Sequence, residues 1–340
     1  MTVQQLAATA RQLVDSGKGL LAMDESNGTC DKRFAAVGAP QTEEAWRAYR
    51  ELIVTTPRLG ESISGAILYD ETIRQRKKDD TPFVQVLTDA GIIAGIKVDT
   101  GAKPLAGFAG ETITEGLDGL RERLAEYGKL GAKFAKWRAV IDIGAGIPSA
   151  YAITANAEGL ARYAALCQEA GIVPIVEPEV LMDGGHDLQR CEQVTGAVLD
   201  SVFTHLFAAG VYLEGIILKP NMVIPGKKCA QKASAEQVAE ATLRCLKRHV
   251  PAAVPGIAFL SGGQSPTEAT LHLSLMNAAG PLPWTLTFSY GRALQEPALL
   301  AWGGQSGAFT SGQQALFKRA KLNGLAAVGS YKTSMESTAA

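Results

Sequence analysis

The feature of this 340-residue sequence that most constrains its fold is a set of short apolar runs, each ending in a charged or glycine-containing turn. Most are dominated by Ile, Val, Leu, Ala and Phe with little polar alternation, which is typical of parallel strands covered on both faces. There are eight such runs, at 19–24, 65–70, 91–99, 132–138, 172–180, 215–220, 256–262 and 283–291.

The segments between these runs carry helix signals. Capping boxes begin at Ser234 and Ser265, and the second has Pro266 at the first helical position. Apolar residues at three- and four-residue steps predict one helix beginning at Thr114 and another ending at Gly171. Strands alternating with helices favour an α/β (β/α)8 TIM barrel over an open doubly wound sheet, whose Gly-rich phosphate motif is missing.

The domain organisation is predicted to be simple. No internal repeat, low-complexity tract or linker divides the chain, so we expect a single domain over residues 1–330 with an N-terminal helical extension. The remainder, 331–340, is rich in small and polar residues and is predicted to be a flexible C-terminal tail.

Charge and cysteine content exclude several classes of protein. With 33 Lys and Arg against 34 Asp and Glu, the chain lacks the cationic surplus that a nucleic-acid binder needs. Five scattered cysteines without a CxxC spacing argue against a disulfide framework and a cysteine-type zinc site, and favour a reducing compartment. No leader or long apolar stretch appears. We expect a cytoplasmic protein with a small-molecule partner and neither a nucleic-acid nor a membrane partner.

Charged residues stand where most predicted strands end. In a barrel these ends form the active-site face, so charges there indicate chemistry. We expect them to converge: Asp24, Lys97, Asp99, Lys136, Arg138, Glu177, Glu179 and Lys219.

Lys219 is the most informative of these charges. The run Ile216-Ile217-Leu218 leads into it and Pro220 follows. Desolvation and a neighbouring cation such as Lys136 would lower the pKa of this lysine from about 10.4 toward neutrality, leaving an amine able to attack a carbonyl. The alternative is a structural salt bridge between Lys219 and Glu177 or Glu179, and the residues alone leave both interpretations open.

Imine chemistry followed by carbon–carbon cleavage needs a general acid and a general base in different surroundings. Glu177 and Asp24 are the candidates for these roles. Two alternatives remain open: Asp24 belongs to a helix N-cap cluster with Glu25 and Ser26, or Glu179 orients Lys136 or Arg138 rather than reacting.

Glycine-rich turns follow the last two predicted strands. Ser261 and Gly262 precede the capped helix at Pro266, and Gly291 and Arg292 close the eighth strand. Turns at these two strands are the usual phosphate site of such barrels, since they offer backbone N–H groups, a helix N-terminus and a guanidinium. A second anion could be held near strand one by Ser26, Thr29 and Arg33.

The histidines do not suggest a metal site. His205 and His249 fall within helix patterns, and only His186 lies near a strand end. We therefore expect no metal and no other cofactor, with an amine activating the carbonyl.

Seven motifs in order, LLAMDES, GIKVD, FAKWR, VEPE, LKPNMV, FLSGGQS and FSYGRALQ, make the chain resemble a class I fructose-1,6-bisphosphate aldolase over residues 10–330. The resemblance implies a lyase that reversibly cleaves fructose 1,6-bisphosphate to dihydroxyacetone phosphate and glyceraldehyde 3-phosphate through a lysine Schiff base, in glycolysis, gluconeogenesis or the Calvin cycle. It also implies a homotetramer and no metal.

The same resemblance implies residue roles. Lys219 would form the Schiff base, Glu177 would assist dehydration, Lys136 would steer charge beside the imine and Asp24 would manage the proton of the C4 hydroxyl. The phosphate ligands would be Arg138, Lys97, Ser261, Gly262, Gly291 and Arg292, with Ser26 at the far phosphate.

The sequence departs from the family pattern at two places. Thr29 stands where the family often has serine, and no tyrosine ends the chain, whose last tyrosine is Tyr331. In many members the terminal tyrosine helps move the C3 proton of the dihydroxyacetone phosphate imine. We therefore expect slower proton exchange here, or exchange served by Tyr331 or by a phosphate oxygen.

Two rival hypotheses accompany this interpretation. A transaldolase or deoxyribose-phosphate aldolase would share the lysine but use one phosphate site, whereas two anion sites are predicted here. A catalytically silent binding protein would keep the barrel without an intact set of acid, base and amine.

Overall fold

The computed structural model describes residues 2–337 and contains a closed barrel of eight parallel strands. The predicted (β/α)8 fold is confirmed, and each predicted run overlaps one strand. The barrel strands are β1 (Gly19–Met23), β2 (Ile63–Leu68), β3 (Ile93–Lys97), β6 (Phe134–Ile141), β7 (Val173–Val180), β8 (Ile217–Leu218), β9 (Gly256–Phe259) and β10 (Thr285–Tyr290). Neighbours follow in chain order, and β10 pairs with β1 to close the barrel.

Helices surround the barrel and connect its strands. Both predicted capping boxes are present, at Ser234 and at Ser265, where Pro266 opens the helix. The α-helices are α1 (Val3–Leu13), α2 (Asn27–Ala36), α3 (Glu43–Val54), α4 (Asp70–Arg74), α5 (Phe83–Asp89), α6 (Leu120–Lys129), α7 (Ala150–Glu169), α8 (Leu188–Ala208), α9 (Ala235–His249), α10 (Pro266–Ala278), α11 (Arg292–Trp302) and α12 (Phe309–Ala327).

One predicted helix boundary is wrong. Thr114 does not begin a helix but lies in β5 (Thr112–Glu115), which pairs with β4 (Gly101–Pro104) as an antiparallel hairpin at the barrel mouth. Its hydroxyl donates to the carbonyl of Arg138, which ties the hairpin to β6. Tertiary hydrogen bonds thus override the local helical pattern, and α6 begins only after Gly119, whose φ of 63° is left-handed.

Apolar side chains fill the bottom of the barrel, at the N-terminal ends of its strands, and a cavity remains at the top, at their C-terminal ends. Leu6, Ala10 and Leu13 of α1 pack into the same apolar cluster as Phe134 and Ile217. A Cβ built on Gly95 would lie 2.2 Å from the Phe134 ring, so the glycine makes room for that side chain. Because α1 closes the bottom with apolar contacts, the polar groups of the barrel are confined to its upper end.

The chain's C-terminal segment packs against the helices as far as Ser337. Tyr331 is 5% exposed, and its hydroxyl donates to Glu336 Oε1 at 2.7 Å. Arg319 of α12 donates to both carboxylate oxygens of Glu336, at 2.5 and 2.7 Å. Residues 338–340 of the predicted tail lie outside the described residues, and the mobility of the tail stays a prediction.

Candidate active site

A cavity of about 520 Å³ opens at the C-terminal ends of the barrel strands. Every site residue predicted from the sequence lines it: Asp24, Ser26, Thr29, Arg33, Lys97, Lys136, Arg138, Glu177, Glu179, Lys219, Ser261, Gly262, Gly291 and Arg292. A larger groove of about 890 Å³ lies between α8 and α9, but its lining contains no strand-end residue, and several of its charges pair with one another, as Arg244 does with Glu192. The residues predicted to form the site therefore lie together at the barrel mouth and not in this groove.

Lys136 lies at the centre of the charged cluster. Its Nζ is 2.7 Å from Asp24 Oδ2, 3.3 Å from Glu177 Oε2 and 3.9 Å from Asp99 Oδ2. Strand β6 presents this side chain toward the barrel axis, where it is buried. Three carboxylates around one ammonium hold the cluster together, since buried charges are tolerated only when they are paired.

Lys219 lies directly after β8 and is only 3% exposed. Its backbone N–H donates to the carbonyl of Val176 at 2.8 Å, and its Nζ is 3.1 Å from Glu177 Oε1. Glu177 therefore bridges the ammonium groups of Lys136 and Lys219 with its two oxygens. The ion pair of the structural alternative is present, and it also places a carboxylate beside the amine that would react.

The charges of this cluster fix two protonation states. Burial raises the pKa of Asp24, but the ammonium groups of Lys136 and Lys219 outweigh it, and the pKa lies below its ordinary value of 3.8. Burial lowers the pKa of Lys136, but Asp24, Glu177 and Asp99 outweigh it, and the pKa lies well above its ordinary value. At neutral pH the pair is a carboxylate and an ammonium. The predicted activation of the Lys219 amine stays a prediction.

The two alternative roles considered for Asp24 and Glu179 agree with the structure to different degrees. Helix α2 begins at Asn27 with Ser26 as its N-cap, and the carboxylate of Asp24 is directed to Lys136 instead of the helix end. Glu179 accepts a hydrogen bond from Arg138 Nε, as the orienting alternative predicts. The structure thus separates Asp24, which lies in the central cluster, from Glu179, which holds an arginine at the rim.

The two glycine turns meet at one side of the mouth. Arg292 begins α11 and donates from Nη2 to the carbonyl of Gln264 at 2.9 Å, which joins the turn after β10 to the turn after β9. A Cβ built on Gly291 would lie 3.9 Å from Arg33 Nη2. Arg33, expected at the second anion site, therefore also borders the first.

The second predicted anion site lies at the start of α2. Ser26 Oγ and Thr29 Oγ1 are 3.2 Å apart, so one hydroxyl donates to the other. Arg33 donates to Glu25, and Gln295 Nε2 donates to Glu25 Oε1 at 2.8 Å. These contacts hold the start of α2 against α11.

Asp99 ends the third predicted strand, and the sequence pattern predicts no role for it. Asp99 Oδ1 is 3.0 Å from Lys97 Nζ, and its oxygens accept the backbone N–H groups of Gly101 and Arg138. It therefore links β3, the hairpin and β6. Asp183 and Lys227 also line the cavity and were missed, since they lie in loops beyond the strand ends.

Histidines and acidic groups do not cluster in the manner of a metal site. Within residues 2–337, no group of three or more His, Cys, Asp or Glu side chains is placed to hold a metal ion. His205 and His249 lie in α8 and α9, as the helix patterns predict.

Comparison with known proteins decides the family. A model described as "Glycolytic: Fructose-bisphosphate aldolase class-I" matches residues 5–340. This chain belongs to the class I fructose-bisphosphate aldolase family. It is 59% identical over 333 residues to a probable fructose-bisphosphate aldolase class 1 of Xanthomonas campestris pv. campestris, covering 98% of this chain and 100% of that one. It is 52% identical over 339 residues to fructose-bisphosphate aldolase C of Mus musculus, covering 99% and 93% of the two chains.

A solved structure agrees with this family assignment. The fructose-bisphosphate aldolase of Plasmodium falciparum, crystallised with TRAP and a small-molecule inhibitor, superimposes with a TM-score of 0.95 at 48% identity. The alignment covers 97% of this chain and 95% of that one. The predicted resemblance and lyase class are confirmed by the family, whose members use Schiff-base chemistry.

The lowered pKa of Asp24 predicts how stability changes with pH. A carboxyl whose pKa is lower in the folded state stabilises the protein above its unfolded pKa, and this contribution is lost as the pH falls through the folded value. We expect the difference in unfolding free energy between the parent and Asp24→Asn to be constant from pH 7 to about pH 5 and to shift against the parent below 3.8. Urea unfolding at each pH measures it.

The control for this experiment is Asp89→Asn, which changes an exposed carboxylate. If the parent and Asp24→Asn lose stability in parallel down to pH 3, the ionised Asp24 carboxylate is not favoured by the folded state.

Proposed function

We propose that this cavity cleaves fructose 1,6-bisphosphate through an imine on Lys219, with Glu177 and Asp24 as the proton-transferring carboxylates. The observation that carries the proposal is the Glu177 bridge between Lys219 and Lys136, inside a cavity lined by the residues that are predicted to bind phosphate. An ammonium beside a carboxylate can transfer its proton to it, which gives both the nucleophilic amine and the carboxylic acid that imine formation needs.

Imine formation uses Glu177 as the acid. Lys219 first transfers its ammonium proton to Glu177, and the resulting amine attacks the C2 carbonyl of the sugar to form a carbinolamine. Glu177 then gives this proton to the carbinolamine hydroxyl, which leaves as water. The product is an iminium ion on Nζ. Glu177 Oε1, at 3.1 Å from this nitrogen, is within reach of the departing oxygen.

Cleavage uses Asp24 as the base. Its carboxylate takes the proton of the C4 hydroxyl, the C3–C4 bond breaks, and the electron pair moves through C3 to the iminium nitrogen, giving an enamine and glyceraldehyde 3-phosphate. Lys136 keeps Asp24 ionised for this step, since its ammonium lies 2.7 Å away. Protonation at C3 and hydrolysis of the imine then release dihydroxyacetone phosphate.

The phosphate groups of the substrate would be held on opposite sides of Lys219. Strand β8 pairs with β9, so the Ser261–Gly262 turn lies beside the imine and suits the phosphate on C1, with Gly291 and Arg292. Ser26 and Thr29 would hold the far phosphate, and the cations available at this mouth are Arg33, Lys97 and Arg138. Two phosphate sites favour a bisphosphate over the single-phosphate substrates of the rival enzymes.

We further propose that the protein is a cytoplasmic homotetramer, as the family resemblance implies. None of the helices in residues 2–337 combines the length and apolar character needed to span a membrane. A near-zero net charge is compatible with association of subunits.

The role of Lys219 predicts a large loss of activity on substitution. Lys219→Met removes the amine but keeps the apolar stem, so we expect kcat for fructose 1,6-bisphosphate cleavage to fall by about four orders of magnitude or more. Lys133→Met is the matched control, because this exposed lysine directly precedes β6 and does not line the cavity. A steady-state assay with a coupled triose phosphate readout measures both, and comparable turnover of the two variants contradicts the proposal.

The position of Tyr331 gives a second prediction. This tyrosine does not line the cavity, and its hydroxyl is engaged by Glu336. We expect Tyr331→Phe to leave the exchange of the C3 proton of dihydroxyacetone phosphate unchanged, since a phosphate oxygen would serve it. Exchange of solvent tritium into dihydroxyacetone phosphate is the measurement. A tenfold loss of exchange with intact folding would assign the proton transfer to Tyr331.

A further inference from the structure

Lys227 lies on the rim of the cavity on a rigid piece of backbone. The N–H groups of Gly226, Lys227 and Lys228 donate to the carbonyls of His186, Met182 and Gly184, at 2.8, 2.7 and 3.0 Å. A Cβ built on Gly226 would lie 2.1 Å from the Gly184 carbonyl oxygen, so only glycine permits this close approach. The loops after β7 and β8 are thus joined, and the Cα of Lys227 is fixed.

The side chain of Lys227 is held much more weakly than its backbone. Its Nζ is 2.7 Å from Asp183 Oδ1, and the two side chains are 55% and 58% exposed. An ion pair this exposed contributes only about 0–1 kcal/mol. A phosphate dianion carries more negative charge than one carboxylate, so the Lys227 ammonium can leave Asp183 and pair with the phosphate instead.

The other lysines of the cavity lack this freedom. Lys136 and Lys219 have side chains that are 4% exposed and paired with buried carboxylates, and Lys97 is paired with Asp99. Moving one of these ammonium groups away would separate it from a buried carboxylate, which carries a large energetic penalty. Among the lysines that line the cavity, Lys227 is therefore the one that can change partners at low cost.

Lys227 also neighbours the turn after β9. Met182, whose carbonyl accepts the Lys227 N–H, packs its side chain on this turn: a Cβ built on Gly262 would lie 2.5 Å from Met182 Cε, and one on Gly263 would lie 2.3 Å from Met182 Cγ. The Ser261–Gly262 turn is the one to which the C1 phosphate was assigned. Met182 therefore contacts both the backbone of Lys227 and the turn to which the C1 phosphate is assigned, so the Lys227 side chain begins close to that phosphate.

We propose that Lys227 is a further substrate-binding residue, which leaves Asp183 and contacts the C1 phosphate of the bound sugar. The inference rests on the proposed function, since it takes that phosphate to lie at the Ser261–Gly262 turn. Only ion-pair partners change, and no covalent bond is made or broken. Because the contact persists from substrate to transition state, it lowers KM and leaves kcat unchanged.

The test compares kcat and KM for fructose 1,6-bisphosphate and fructose 1-phosphate in the parent and four variants. Lys227→Gln removes the charge, Lys227→Arg restores it, Asp183→Asn frees the ammonium, and Lys228→Gln is the matched control because it neutralises the adjacent exposed lysine. We expect Lys227→Gln to raise KM for both substrates by about three- to tenfold, with kcat within twofold of the parent.

We also expect defined changes of KM in the other three variants and on raising the ionic strength. Lys227→Arg recovers the parent KM, Asp183→Asn lowers it, and Lys228→Gln leaves it unchanged. Raising the ionic strength weakens substrate binding less in Lys227→Gln than in the parent, since one phosphate contact is missing.

Several results would overturn the inference. These are a KM of Lys227→Gln that matches that of Lys228→Gln, a rise confined to fructose 1,6-bisphosphate, which would move the contact to the far phosphate, or a fall in kcat alone. If the parent cleaves neither sugar, the proposed function fails as well, so the parent assay separates the two failures. Thermal unfolding of each variant verifies that the fold is retained.

Discussion

The arrangement of charges at the barrel mouth depends on one carboxylate placed between two buried ammonium groups. One carboxylate oxygen of Glu177 pairs with Lys136 and the other pairs with Lys219, and both lysines are buried. Transfer of an unpaired charge to such a place costs several kcal/mol, so each member of the cluster is needed by the others. The same arrangement that makes the burial of Lys219 tolerable also places beside it the carboxyl group that we propose as the acid.

The barrel creates this arrangement through the pleat of its strands. Side chains two residues apart on a strand point to the same face, so Lys97 and Asp99, Lys136 and Arg138, and Glu177 and Glu179 each enter the mouth as a pair. In β6 and β7 the first residue of the pair is the more buried one, whereas Asp99 is more buried than Lys97. Parallel register then sets Arg138 opposite Glu177 across β6 and β7. Lys136 and Glu177 belong to the central charged cluster, and Arg138 and Glu179 pair with each other nearer the rim.

Much of the fold and of this site could be predicted from the sequence because both are encoded by local patterns. Eight apolar runs with charges at their ends identify the barrel and the residues at its mouth. Features set by tertiary contacts could not be predicted in this way. The hairpin at Thr114 depends on its hydrogen bond to Arg138, and the place of Lys227 depends on backbone hydrogen bonds between two loops distant in sequence.

The C-terminal tail also has tertiary contacts that its composition does not predict. Its composition of small polar residues predicts mobility, but Glu336 pairs with Arg319 and Tyr331, and these contacts bring Tyr331 against α12 and away from the cavity lining. A sequence gives the distance along the chain between a tyrosine and a site, whereas packing decides whether the tyrosine reaches it.

The central claim is that the Lys219 amine becomes covalently joined to the sugar ketone. Borohydride reduction of the enzyme during incubation with dihydroxyacetone phosphate, followed by digestion and peptide mass spectrometry, tests it most directly. We expect a stoichiometric reduced adduct on the peptide that contains Lys219 in the parent, and no adduct in Lys219→Met. An adduct on Lys136 or Lys227 instead, or no adduct in an enzyme that turns over, would contradict it.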